Sequence, residues 1–212
     1  MSGTNSPELV TASYRGELEK VKQLIKNGAD PNSEDQHGMG RLLTPYPEVI
    51  EFLLAHGADP NRLTIESGDT VLGGSTYFNN PDCIRLLLEA GADSNGGTNA
   101  AGETPLHGTL ARPGNEAFEA DRLKIVKCLI EHGADVNRQT NPGVPSQAFW
   151  RDVRTRGETP LHRAAAFAGE YTIRFLLGAG ADKTIRDVNG DSPQSWASWH
   201  WRDKNLIDLL AQ

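Results

Sequence analysis

The sequence predicts an all-α solenoid of about six helix-pair units, stacked side by side and joined by short β-hairpin-like turns. Three observations lead there. Gly-Ala-Asp recurs at Gly28, Gly57, Gly91, Gly133 and Gly180, at spacings of 29, 34, 42 and 47 residues, and self-similarity at such an interval marks a repeated supersecondary unit. The best-preserved copy, 157–193, is complete in itself. Its helix start is Thr159-Pro160, a hydroxyl cap followed by proline where a missing N–H costs nothing. A small-residue run from Arg163 to Phe167 follows, then a segment from Tyr171 to Leu177 with Ile173, Leu176 and Leu177 at helical spacing. Gly180 stands where a left-handed residue ends a helix, and Ser192-Pro193 repeats the start signal. Third, the chain is 37% apolar with 22 glycines and has a mean hydropathy of −0.49, the composition of a turn-dense chain whose thin core is shared between neighbours.

The units follow in order within a single domain, 1–212, in which no linker or low-complexity tract intervenes. The first, 5–33, has an amphipathic second helix with Leu18, Val21, Leu24 and Ile25 and carries Tyr14 in its first helix; it reads as an N-terminal cap. Unit 34–62 is short of the period, and the loss falls before Pro47, so its first helix is expected to be stunted, around Met39 to Leu43. Unit 63–96 keeps a cap at Thr70, but Gly73-Gly74 costs its first helix about 1 kcal/mol per glycine relative to alanine. In unit 97–137 the extra residues from Pro113 to Arg122 are expected to form a longer surface loop between the helices. Unit 138–184 begins with an extended turn, 138–156, whose first half, with two prolines, reads as a loop and whose segment from Ala148 to Thr155 suits hairpin arms. The last unit, 185–212, is a cap carrying Trp196, Trp199 and Trp201 before Leu206, Ile207, Leu209 and Leu210.

Thr104-Pro105-Leu106-His107 and Thr159-Pro160-Leu161-His162, with Gly-Ala-Asp closing the following helix and a period near 33, resemble the ankyrin-repeat family over essentially the whole chain. The Gly-Ala-Asp-x-Asn turns and the ending from Asn189 to His200 are similar to small bacterial ankyrin proteins, some of which neutralise toxins or act as effectors. The resemblance implies that His107 and His162 are structural, each ring bonded near a turn. It also implies that the two positions ending each first helix face a concave groove that contacts partners. Those positions are Tyr14 and Arg15, Tyr77 and Phe78, Ala111 and Arg112, Ala166 and Phe167, and Trp199 and His200, with the second unit breaking the stripe at Leu43 and Thr44. Aromatic residues make up only 7% of the chain, and Tyr, Trp, Phe and Arg are favoured interface anchors. The competing reading is that these rings only pack against neighbouring first helices.

A net charge of −7 argues against general nucleic-acid or anionic-membrane binding. Cys83 and Cys128 sit in apolar, helix-compatible runs and read as two buried thiols in a reducing compartment. The start MSGTNSPELV lacks a basic region followed by an apolar run, and no segment has the length of a membrane span. The expectation is a cytoplasmic protein.

No nucleophile elbow, phosphate-binding loop or His-Glu-x-x-His helix is present. Cys128 and His132 share a helix face, but two ligands do not close a zinc site. Neither metal nor cofactor is expected, and catalysis is not. The extended turn adds a second candidate surface: Phe149-Trp150-Arg151, with Arg138, Arg154 and Arg156, suits an acidic partner or packs back on the groove. The reading is therefore a monomeric, non-catalytic module that binds another protein through Tyr77, Phe78, Arg112, Phe149, Trp150, Arg151, Arg163, Phe167 and Trp199. One alternative is a small-molecule or enzymatic pocket roofed by the insertions at 113–122 and 138–156 and using Arg154, Arg156, His107 or His162. Another is self-association through the tryptophan-rich end.

Overall fold

The computed structural model describes residues 5–34, 42–63, 70–96, 100–146 and 153–211. Two layers of helices run the length of the stack. The first-helix layer holds α1 (Pro7–Tyr14), α4 (Val71–Ser75, continued by a 3-10 turn, Thr76–Phe78), α6 (Pro105–Thr109), α8 (Pro160–Phe167) and α10 (Pro193–Trp199). The second holds α2 (Leu18–Lys26), α3 (Pro47–Ala55), α5 (Pro81–Glu89), α7 (Glu116–Glu131), α9 (Glu170–Gly178) and α11 (Lys204–Leu209). Within each layer successive helices touch, α3 to α5 to α7 to α9 and α4 to α6 to α8 to α10. Leu9, Val21, Ile50, Leu72, Ile84, Leu106, Ile125, Leu161 and Ile173 belong to one continuous buried cluster between the layers.

The helix starts follow from side-chain chemistry. Ser6 and Thr70 accept from the backbone N–H three residues on, and Pro7, Pro105, Pro160 and Pro193 occupy the first turn. The stops require glycine. Gly28, Gly57, Gly91, Gly133 and Gly180 have φ of 91°, 89°, 89°, 88° and 93°, and the next residue's N–H reaches the carbonyl five back, as from Ala92 to Leu87 and Ala134 to Leu129. Beyond each stop an asparagine ties one turn to the next. Asn95 Nδ2 donates to the Gly133 carbonyl at 2.7 Å, and its Oδ1 accepts from the Asp135 N–H at 2.7 Å. Asn32, Asn61 and Asn137 repeat the pair of bonds. At the fifth turn Thr184 stands instead and, among the described residues, bonds Asp182 of its own turn.

Three expectations are corrected or limited. Of the residues expected to form a loop from Pro113 to Arg122, only Pro113 to Asn115 lie outside a helix: Asn115 caps α7, accepting from the Phe118 N–H at 2.9 Å, and Glu116 to Arg122 are additional helix. Acidic Glu116 and Glu119 in its first turn suit the helix dipole. In the extended turn the first half is itself an arm: the Gly143 N–H donates to the Thr155 carbonyl at 2.7 Å, and the Ser146 N–H to that of Val153 at 2.9 Å. Residues 147–152 lie outside the described residues. So do Met39 to Arg41 of the expected stunted helix, while Leu42 and Leu43 are not helical.

Candidate functional site

The first-helix ends form a connected surface. Rings of Tyr14 and Phe78 lie 6.5 Å apart, bridging over the second unit, and Phe78 meets Tyr77 at 5.8 Å. The Arg112 guanidinium sits 4.8 Å from the Tyr77 ring centre and 4.9 Å from that of Phe118, and donates to the Tyr77 carbonyl. Tyr77 remains 58% exposed. Phe118 comes from the helical extension of α7, so the insertion widens this surface rather than roofing it.

Beneath it Arg122 is fully buried. It donates to the carbonyls of Thr109 (3.2 Å), Phe167 (3.1 Å) and Arg112, and pairs with Glu119. These are the orphan carbonyls of first-helix termini, where a cation is favoured. Arg202 treats the end of α8 likewise, through the carbonyls of Ala165 and Ala168. Glu119 in turn accepts from the Gly169 N–H at 2.8 Å.

Towards the C-terminal end lies a cleft of about 240 Å³, lined by Val153, Arg154, Arg156 and Glu158 on one side and Phe167, Trp196, Trp199 and His200 on the other. The Arg156 guanidinium is 6.0 Å from the Trp196 ring and 5.8 Å from the Trp199 ring. Trp196 is fixed by donation from Nε1 to Asp187 at 3.1 Å and by the His162 ring at 5.6 Å. Phe167 meets His200 at 5.0 Å. Trp199 is 52% exposed and Trp201 almost entirely so.

Tyr77, Phe78 and Arg112 thus share one surface, and Phe167 and Trp199 share the cleft. Phe149, Trp150 and Arg151 lie outside the described residues. Arg163, expected as a partner contact, is 0% exposed. Its guanidinium is held by Glu103 at 2.6 Å and Glu158 at 2.6 Å, and donates to the His107 carbonyl at 3.3 Å. It is a post inside the stack, because a buried cation is tolerable only when paired. Burial pushes the Glu158 carboxyl up, but Arg163 and the Arg156 N–H outweigh it and hold it at about 2.

The histidines have the structural role. His107 Nδ1 accepts from the Thr104 N–H at 3.2 Å, which leaves Nε2 to donate to the Glu158 carbonyl at 3.3 Å. His162 repeats this with Thr159 (3.1 Å) and Asp191 (3.1 Å). Burial first and Arg163 second push His107 down to about 3, and burial lowers His162. With both ring nitrogens engaged, neither is placed for proton transfer to a ligand, and neither lines the cleft. Burial raises the Cys83 thiol to about 12. The Cys128 sulfur is 3.9 Å from His132 Nδ1, and that nitrogen is engaged by the Cys128 carbonyl at 2.8 Å. Among the described residues no three potential ligands converge on a metal position, and no helix is long and apolar enough to cross a membrane.

Sequence reasoning missed Arg122, Phe118, Trp196 and Glu103. A signal existed for one of them: Gly-Glu precedes both Thr-Pro-Leu-His copies, at Glu103 and Glu158. Two acids in equivalent positions of adjacent units, with one arginine between them, imply a shared pair.

The family model described as Ankyrin repeats, in 3 copies, matches residues 43–140 and 117–212. Curated relatives match over shorter stretches. Cyclin-dependent kinase 4 inhibitor B of Mus musculus is 39% identical over 64 residues, 29% of this chain and 49% of that protein. Its Homo sapiens namesake is 44% identical over 64 residues, 28% and 46% of the two chains. Rabankyrin-5 of Homo sapiens is 37% identical over 65 residues, 31% of this chain and 5% of that one. The chain therefore spans about half the length of the two inhibitors it matches.

Proposed function

This chain belongs to the ankyrin-repeat family, and on that premise we propose that it is a non-catalytic module that binds a partner protein along its first-helix surface. One observation carries the reading: Tyr14, Phe78, Tyr77 and Arg112 form an unbroken run of rings and guanidinium with Tyr77 and Tyr14 largely exposed. Exposed, mutually braced aromatic side chains with an arginine offer area at little entropic cost, as interface anchors do. Two relatives are named as inhibitors of a kinase, which accords with action by binding. Phe149, Trp150 and Arg151 belong to the proposal from their sequence alone.

The protein acts as a cytoplasmic monomer without nucleic acid or cofactor in this proposal. A bacterial toxin-neutralising or effector role is its narrower form, supported by the net charge of −7, which suits a basic target. The test is a paired capture from lysate of the source organism with wild type and a Tyr77→Ala, Phe78→Ala variant shown by circular dichroism to be folded. One protein retained by wild type and lost with the variant is expected. A partner held equally by both overturns the groove as the site, and capture of no basic protein overturns the toxin form.

A further inference from the structure

We propose that the cleft between the hairpin arm and α10 seats one apolar side chain of an acidic peptide segment in the partner protein, with the arginines around it receiving the segment's carboxylates. The inference rests on the protein-binding reading above, not on its narrower toxin form, and specifies the chemistry of the segment that binds.

Charge pairing differs in part by face. On the second-helix side several cations are paired along their own helices, Lys22 with Glu19, Arg85 with Asp82 and Glu89, Lys124 with Asp121, and Arg174 with Glu170, while Lys20 reaches Glu8 of α1 and Lys127 lies over the Phe175 ring. On the first-helix side Arg112, Arg154 and Arg156 have no carboxylate within 4.0 Å among the described residues, although the chain carries seven more acids than bases. Arg112 and Arg156 lie over aromatic rings instead. A guanidinium stacked by its face keeps a planar fork of donors in a fixed orientation, the geometry that receives a carboxylate. Glu158 does not oppose this. One of its oxygens is bound by Arg163 and the other by the Arg156 N–H (2.6 Å) and the Thr140 hydroxyl (2.8 Å).

Size selects the anchor. At about 240 Å³ the cleft is below the ~300–1,000 Å³ of ordinary small-ligand sites, and its walls of Trp196, Trp199, Phe167 and Val153 suit a single leucine, methionine or aromatic side chain. Reach sets the spacing. Neighbouring helices sit ~8–10 Å apart, so from a cleft bordered by α8 and α10 to Arg112 at the end of α6 is about 12–15 Å, or roughly four residues of extended chain at ~3.3 Å each. The segment is therefore an apolar residue flanked by acids, with a further acid about four residues away.

The experiment is selection of random 12-residue peptides displayed on phage against the full chain, followed by fluorescence anisotropy of enriched peptides. Asp and Glu are expected to be enriched around one apolar position. Affinity should fall at least about tenfold with Arg156→Gln and with Trp199→Ala, and weaken between 50 and 500 mM NaCl, while the outer-face control Arg85→Gln binds as wild type. Arg154→Gln, at an exposed position, gives up a bond to the Gly143 carbonyl of the hairpin, so it is first shown by circular dichroism to be folded, and it should then weaken binding. Enriched peptides without acidic excess, acidic peptides indifferent to Arg154 and Arg156, no enrichment, or tighter binding of an eight-residue oligothymidylate each overturn the proposal. Peptides of no particular charge that still depend on Tyr77 and Phe78 overturn it while leaving the groove reading standing.

Discussion

His107 and Glu158 are held by folding in protonation states that mild acid would otherwise change. The folded state keeps His107 neutral down to about 3 against an ordinary 6.5, and Glu158 ionised down to about 2 against 4.5. In each case the unfolded chain binds the proton first. The stabilisation is complete above pH 6.5, begins to fall as the unfolded histidine protonates, and falls more steeply below 4.5 as the unfolded glutamate does. His162, lowered by burial, acts in the same direction. Urea midpoints are therefore expected to decrease from pH 7 to 5 and again to 3.5, and His107→Gln should flatten the upper part of that decline; a wild-type midpoint constant from pH 7 to 5 would refute the account. The same residues mark what a sequence can convey. The family resemblance of the Thr-Pro-Leu-His motif implies that both histidines are structural, and one bond of each is local, cap to ring three residues apart, while the Nε2 bonds to Glu158 and Asp191 are not. Arg163 pairs locally with Glu158, but the second acid that makes it a buried post, Glu103, is 60 residues away in sequence, and helical register gives a face, not the charge waiting on the next unit.

For the helices, the legible features were those written in local chemistry. Caps, first-turn prolines and left-handed glycines gave the elements their ends, whereas the segment from Pro113 to Arg122 was misread because Pro113-Gly114 breaks the chain just before an Asn115 cap that starts α7 early. Its helical state is reinforced by tertiary bonds from Glu119 and Arg122 that no local pattern shows. Glycines inside helices divide in the same way. A Cβ at Gly108 in α6 would lie 2.6 Å from Thr76 Oγ1, whereas one at Gly178 in α9 would meet nothing within 4 Å. Gly178→Ala should gain up to about 0.5–1 kcal/mol from helix propensity and reduced chain entropy. Gly108→Ala should instead lose about 1–2 kcal/mol, since Thr76 is tied to the Gly73 carbonyl at 2.7 Å and cannot yield without breaking that bond. Thermal unfolding of the two variants should shift in opposite directions, and a shift of both upward would show that the α4–α6 contact is looser than its geometry.

Across the whole molecule, the period is legible from Gly-Ala-Asp alone, but one strand of the coupling between units is a ladder of asparagines two residues further on, which ends where Thr184 replaces the fifth. Each asparagine joins one unit to the next by two bonds, so a stack of this kind has a stability made of unit and nearest-neighbour terms. Asn95 stands near the middle, joining the turn after α5 to the turn after α7. Asn95→Ala removes both bonds and is expected to cost about 1–3 kcal/mol at that one interface. All four tryptophans, Trp150, Trp196, Trp199 and Trp201, lie C-terminal to it, whereas far-ultraviolet circular dichroism reports every helix. In wild type the two signals should trace one urea transition. In Asn95→Ala the weakened joint lets the N-terminal units, whose α4 is only five residues long, unfold first, so ellipticity should fall at lower urea than tryptophan emission. Coincident curves in the variant would mean that the two-layer core, continuous through the joint from Leu87 to Ile125, couples the halves more strongly than the asparagine ladder does.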